Sequence, residues 1–112
     1  MTMTLLLRCN DLDQTRQFYQ SVLGFNVFDS AAGTLTVGKE GGRLIFTEGD
    51  LWKSPSALSG TIYFVVPDVD GYFASIQGKV VVAWPIQDMS HGSREFGIKD
   101  CNGYHLAFHQ RV

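Results

Sequence analysis

The sequence predicts an α+β fold built from two β-α-β-β-β halves. Three observations carry that prediction. The first is a repeat. Leu5-Leu6-Leu7-Arg8-Cys9-Asn10-Asp11-Leu12-Asp13 turns from apolar to acidic, and Ile62-Tyr63-Phe64-Val65-Val66-Pro67-Asp68-Val69-Asp70 does the same 57 residues later. Self-similarity at such a period marks a duplicated supersecondary unit. The second is a helical pattern directly after each acidic turn. The third is a glycine turn leading into an apolar strand near the end of each half: Gly41-Gly42-Arg43-Leu44-Ile45-Phe46 and Asn102-Gly103-Tyr104-His105-Leu106-Ala107-Phe108.

The helices carry start and stop signals. Asp11 is a good N-cap, and Gln14 stands where a capping-box partner belongs. Leu12, Thr15, Phe18, Tyr19 and Val22 share one face at helical spacing, and Gly24 ends the helix. In the second half Asp68 is the N-cap. Val69, Tyr72, Phe73 and Ile76 follow on one face, Gly78 ends the helix, and Pro67 blocks extension upstream. Strands are expected near 3–9, 25–29, 34–38, 43–48, 61–66, 79–84, 94–99 and 104–109. Asn102-Gly103 reads as a two-residue hairpin turn, because both residues accept positive φ. Pro85 to Ser93 reads as a long loop. The chain is expected to be a single domain over 1–112, with repeat modules at about 1–48 and 60–112 and a linker at 49–59 that contains Ser54-Pro55-Ser56.

Composition narrows the function. The chain has 112 residues, 45% hydrophobic and 18% charged, with a net charge of −2. At this length one core fits and a second independent core does not. A disordered chain would be poorer in apolar residues and richer in net charge. The nine basic residues are scattered, so the basic stripe that nucleic acid requires is absent. No apolar run reaches the length of a membrane span, and the first eight residues do not read as a signal peptide. Cys9 and Cys101 are too few for a disulfide scaffold. The expected location is the cytoplasm, with both thiols free.

Two segments resemble a known family. Asn10-Asp11-Leu12-Asp13-Gln14-Thr15-Arg16-Gln17-Phe18-Tyr19 through Leu23-Gly24-Phe25 is similar to the opening strand-to-helix segment of the vicinal oxygen chelate superfamily. That superfamily includes glyoxalase I, the extradiol dioxygenases, and the bleomycin and fosfomycin resistance proteins. Arg94-Glu95-Phe96-Gly97-Ile98-Lys99-Asp100-Cys101-Asn102-Gly103-Tyr104-His105-Leu106-Ala107-Phe108 resembles its closing hairpin, with Cys101 replacing the usual Pro and Asn102 the second Asp. The resemblance covers nearly the whole chain. It implies that the two βαβββ modules form a curved eight-stranded mixed sheet, with the helices outside and a concave cup for a small molecule. It also implies a homodimer, since relatives of this size often complete the cup across one.

The resemblance further implies where a metal would be held: one ligand on the first strand of a module and a carboxylate on the last. The first-strand positions, seven residues before Asp11 and Asp68, are Thr4 and Thr61. The last-strand positions are Ala107 and Phe46, with Glu48 in reach of a small register error. Threonine and alanine do not replace imidazole or carboxylate around a divalent ion. No metal and no cofactor are therefore expected. His105 and His109 lie on one face of a strand with Cα atoms roughly 13 Å apart, too far to share an ion within a chain. His91 reads as a solvated loop residue or a lid residue touching ligand. No Gly-x-Ser-x-Gly elbow, Walker motif or Gly-x-Gly-x-x-Gly fingerprint is present. No catalytic residue is assigned. Cys9 reads as a buried small hydrophobe.

Strand alternation selects the candidate ligand residues. With Thr4 and Thr61 inward, Leu6 and Arg8 follow on the first strand, and Tyr63 and Val65 on the fifth. His105, Ala107 and His109 face the cup from the last strand. Phe46 and Glu48 are expected to face in from the fourth. Trp84 is placed at the mouth of the 85–93 loop, and Trp52 lies in the linker. This apolar and aromatic set with few polar anchors suits a small-ligand pocket. The expected function is metal-independent binding of a small amphipathic or aromatic molecule, resembling the bleomycin-resistance type. Expected partners are that ligand and a second copy of the chain, with neither nucleic acid nor membrane. The alternative is a lyase or dioxygenase with a rearranged metal site using Glu48 and histidines from two chains. A third reading makes the dimer interface the function and the cup vestigial.

Overall fold

The computed structural model describes residues 3–54, 58–90 and 92–111. His91, to which the sequence assigns a loop or lid role, lies outside the described residues, as do Pro55 and Ser56 of the linker. The chain divides into two compact units, Met1–Leu58 and Ser59–Val112, and the break falls inside the segment read as a linker. No helix among the described residues is long and apolar enough to cross a membrane.

The first unit, module 1, runs β1 (Leu5–Arg8), α1 (Leu12–Gln17), β2 (Asn26–Ser30), β3 (Thr34–Lys39) and β4 (Gly42–Thr47). Its four strands are ordered β1-β4-β3-β2, with β1 parallel to β4 and the remaining pairs antiparallel. The second unit, module 2, runs β5 (Thr61–Val65), α2 (Val69–Ile76), β6 (Val81–Asp88), β7 (Ser93–Lys99) and β8 (His105–Arg111). Its order, β5-β8-β7-β6, repeats that of module 1 strand for strand. Each module is thus βαβββ, and the α+β class stands.

The helix caps follow the sequence. The Asp11 carboxylate accepts from Gln14 N at 3.0 Å, and the Asp68 carboxylate from Gly71 N at 3.1 Å. Gly24 (φ +74°) and Gly78 (φ +85°) take the left-handed conformation after the helices, where a side chain is disfavoured. After Gln17, α1 loosens into a π-helical turn over Phe18–Val22 before Gly24 stops it. One face of each sheet packs on its helix. In module 1, Leu7, Leu35, Val37, Leu44 and Phe46 are buried there with Tyr19 of the helical segment. In module 2, Phe64, Phe96, Phe108 and Ile98 are buried, and Tyr72 and Phe73 of α2 lie edge-on or tilted against Phe96 and Phe108.

Two turn expectations are corrected. The two-residue turn with positive φ at both positions is Glu40-Gly41 (φ +51° and +85°), joining the β3–β4 pair Lys39 and Gly42. Asn102-Gly103 instead belongs to a longer loop closed by Asp100 N donating to Tyr104 O at 2.8 Å. There Gly103 alone has positive φ, and the Asp100 carboxylate accepts from both Asn102 N and Tyr104 N. The buried Asp100 side chain holds the turn that Asn-Gly chemistry would otherwise have set. The expected loop from Pro85 to Ser93 is shorter, because β6 continues to Asp88. Pro85 is tolerated there: β6 is an edge strand, and its register shifts between Trp84 and Gln87.

Candidate functional site

In each module the sheet face opposite the helix carries the candidate chemistry, and the two modules differ sharply there. On module 1 this face holds Leu6 paired with Ile45, Arg8 paired with Thr47, and a hydroxyl cluster in which Ser30 Oγ lies 2.6 Å from Thr34 Oγ1 and accepts from Thr36 Oγ1 at 3.1 Å. Leu6 is 39% exposed. Arg8 turns to the segment after β4. Its guanidinium donates to Ser54 O at 3.3 Å and lies 3.6 Å from the Asp50 carboxylate.

Phe46 and Glu48 are not on that face. Phe46 is 0% exposed, aligned with Leu7, with its ring 5.2 Å from that of Tyr19. It faces the helix. The reason is register: β4 pairs in parallel with β1 so that Leu44 and Phe46 fall beside Leu5 and Leu7, and alternation sends even-numbered β4 residues to the core. Glu48 follows the same parity. Its Oε2 accepts from Leu12 N at 2.7 Å, satisfying an orphan donor at the start of α1. Module 2 repeats the device with Gln110, whose Oε1 accepts from Val69 N at 2.8 Å.

Module 2 gathers five of the predicted residues. Tyr63, His105, Ala107 and His109 lie on the helix-free face of β5 and β8, in a register that aligns Tyr63 with Ala107. The Tyr63 ring meets His109 edge-on at 5.4 Å and is 54% exposed. Trp84 lies in β6 rather than at a loop mouth, paired with Gly97. Its indole lies directly over Gly97, where a Cβ would collide with the ring. The missing side chain thus makes the seat for the indole. The ring runs nearly parallel to His105, at 14° and 6.4 Å between centroids. The indole Nε1–H donates to Glu95 Oε2 at 3.1 Å.

Glu95 is the residue that sequence reasoning missed. It is 2% exposed, aligned with His109 on one side and Gln87 on the other. Alternation along Arg94-Glu95-Phe96-Gly97 could have found it, since a glutamate on the same face as the indole seat stands out from the apolar strand around it. Its neighbour Arg94 points the other way, to Asp70 of α2 and Asp88 of β6, and those two carboxylates hold its proton more tightly than usual.

The donor set does not fit the metal of the family site. Thr4, Thr61 and Ala107 offer no such ligand, and the Glu48 carboxylate is engaged by Leu12 N. Among the described residues no group of three or more His, Cys, Asp and Glu is placed to hold an ion. A separate depression of about 400 Å³ on module 1 is lined by Met3, Phe28, Lys39, Glu40 and Arg43, side chains of mixed charge at the surface.

These features define a class of protein. The model of the Glyoxalase/Bleomycin resistance protein/Dioxygenase superfamily matches residues 3–108, and the chain belongs to that superfamily. Among solved structures, the chain is similar to TioX from Micromonospora sp. ML1, with 20% identity, a TM-score of 0.82, and 100% and 99% of the two chains covered. It is also similar to a protein of unknown function from Agrobacterium tumefaciens str. C58, at 19% identity, a TM-score of 0.80, and 100% and 94% covered. A glyoxalase/bleomycin resistance protein/dioxygenase from Alicyclobacillus acidocaldarius gives 18%, 0.78, and 100% and 92%. At these identities the likeness is one of fold. A comparison with curated proteins found no match.

Proposed function

We propose that the chain binds a small aromatic or amphipathic molecule without a metal, in the manner of the bleomycin-resistance-type members of its superfamily. The ligand lies against the helix-free face of module 2. The observation that carries this reading is the Trp84 indole, fixed flat over Gly97, parallel to His105 and hydrogen-bonded to Glu95. A ring held from below, from one edge and by its own N–H loses little freedom when a second ring stacks on it. Pre-organisation of this kind lowers the cost of binding. Apolar contact then supplies about 25 cal/mol per Å² removed from water. The protein is proposed to act as a homodimer in the cytoplasm, with Cys9 and Cys101 as the free thiols they are in the structure.

Fluorescence tests the binding. The chain has two tryptophans, so in a Trp52→Phe background the emission is that of Trp84 alone. Naphthalene-type probes are expected to quench it saturably, and Trp84→Ala to weaken binding, read by calorimetry, by about tenfold or more, consistent with loss of a stacking partner. An unquenched Trp84 at millimolar probe would refute the reading. Elemental analysis of protein purified without chelator tests the other half, and one equivalent of tightly held metal would refute the metal-independent mode.

A further inference from the structure

Glu95 is a buried carboxylate with few partners among the described side chains. It is 2% exposed, and among the described residues its one hydrogen bond comes from a neutral donor, the Trp84 indole N–H at 3.1 Å. An ionised carboxylate offers about four acceptor positions. No Lys, Arg or His whose side chain is described forms an ion pair with it, and the neighbouring Arg94 is committed to Asp70 and Asp88. Burying a charge is costly unless it is paired and hydrogen-bonded. The aromatic rings on this sheet face add a second bias of the same sign. Trp84, Tyr63 and His105 lie on the same sheet face, and indole and phenol faces attract cations.

We propose that Glu95 selects the ligand: it accepts a cationic N–H donor, an amine or amidine, carried by an aromatic molecule whose ring lies against Trp84. This rests on the reading of module 2 as a ligand-binding face and adds the chemistry that face recognises. A ligand cation would supply a charged partner that none of the described side chains provides. An isostere lacking the donor would leave the carboxylate buried and unpaired, which is how sites built around a buried polar group reject the wrong ligand.

Three probes of one shape test it: 2-naphthylmethylammonium, 2-naphthylmethanol and 2-naphthylacetate, titrated calorimetrically into the full chain. The wild type is expected to bind the ammonium at least about tenfold more tightly than the alcohol, the gain of a charge-assisted hydrogen bond over a neutral one, and the acetate most weakly. Glu95→Gln removes the charge but keeps an oxygen for the indole N–H. Its affinity for the ammonium should fall to that of the alcohol, while the alcohol changes by less than about threefold. Equal binding of ammonium and alcohol by the wild type, or an ammonium preference surviving in Glu95→Gln, overturns the proposal and leaves ligand binding by this face intact. Failure of all three to bind at millimolar concentration overturns the reading beneath it. Should Glu95→Gln fail to fold, the order of the three affinities in the wild type supports or overturns the proposal by itself.

Discussion

Among single residues, Gly97 does as much for the site as any side chain. It is buried, and the space above it is filled by the Trp84 ring. A methyl group there would collide with the indole plane itself, so either ring or strand must move. Gly97→Ala is expected to cost about 1–3 kcal/mol in chemical denaturation, the range for overpacking a filled site. It should also shift the Trp84 emission in the Trp52→Phe background. An unchanged emission would mean that the indole is not seated on that glycine. Cys9 provides a second prediction from one residue. Burial pushes its thiol pKa up, and the nearby Glu48 charge adds to this, against a lowering by the Thr15 hydroxyl. A raised pKa leaves less thiolate at any pH below it, and the thiolate is the reactive form. At pH 8 a disulfide reagent should therefore modify Cys101, which is half-buried, well before Cys9. Cys9 should become reactive as pH rises or the chain unfolds. Equal rates for the two thiols in native protein would contradict this.

Between elements, a side chain at or just past the end of each module's last strand caps that module's helix. Glu48 binds Leu12 N and Gln110 binds Val69 N, an acid in one module and an amide in the other filling the same role. Glu48→Gln should therefore be nearly neutral. Glu48→Ala and Gln110→Ala should each lose about 1 kcal/mol of stability in thermal or urea unfolding, the usual cost of an unsatisfied cap. If Glu48→Gln destabilised as much as Glu48→Ala, the charge would matter more than the hydrogen bond. Helix boundaries were legible in the sequence because Asp11, Asp68, Gly24 and Gly78 act through local backbone geometry. The hairpins were less so. Asn102-Gly103 has the strongest short-range turn signal, yet Asp100 replaces it with a side-chain-bonded loop, and the exposed Glu40 takes positive φ in the tighter turn. Pro85 looked like the start of a loop, but an edge strand with an irregular register does not need its missing N–H.

Across the chain as a whole, one βαβββ plan has been used twice and its two helix-free faces have diverged. Module 1 keeps hydroxyls and an arginine tied to Asp50, while module 2 carries an indole, two imidazoles, a phenol and a buried carboxylate. Large apolar side chains stay exposed on both, Phe28 at 60% and Val65 at 52% among them. These are surfaces that a partner copy can cover, and the proposed homodimer makes a direct prediction. Sedimentation at about tens of micromolar should report a mass near twice 12.4 kDa, falling only on dilution, as mass action requires. A monomer at that concentration would remove the dimer from the proposal.

The class, the duplication, the caps and the alternation could all be read from the order of residues. The caps and the alternation depend on neighbours a few residues apart: a carboxylate before a helix, a glycine after it, an apolar residue at every second position. Alternation groups His105, Ala107 and His109 on one side of their strand, and taking Thr61 as inward, as the resemblance implies, sets Tyr63 on the same face. What depends on pairing was settled by the folded chain alone. The parallel register of β1 with β4 turned Phe46 and Glu48 to the helix, and a slip of one residue would have turned them away. The antiparallel register of β6 with β7 set Trp84 over Gly97 and its N–H on Glu95, residues 13 and 11 positions along the chain. No local signal encodes such a meeting, because the energy that fixes it comes from packing one strand's side chain into the gap left by another's.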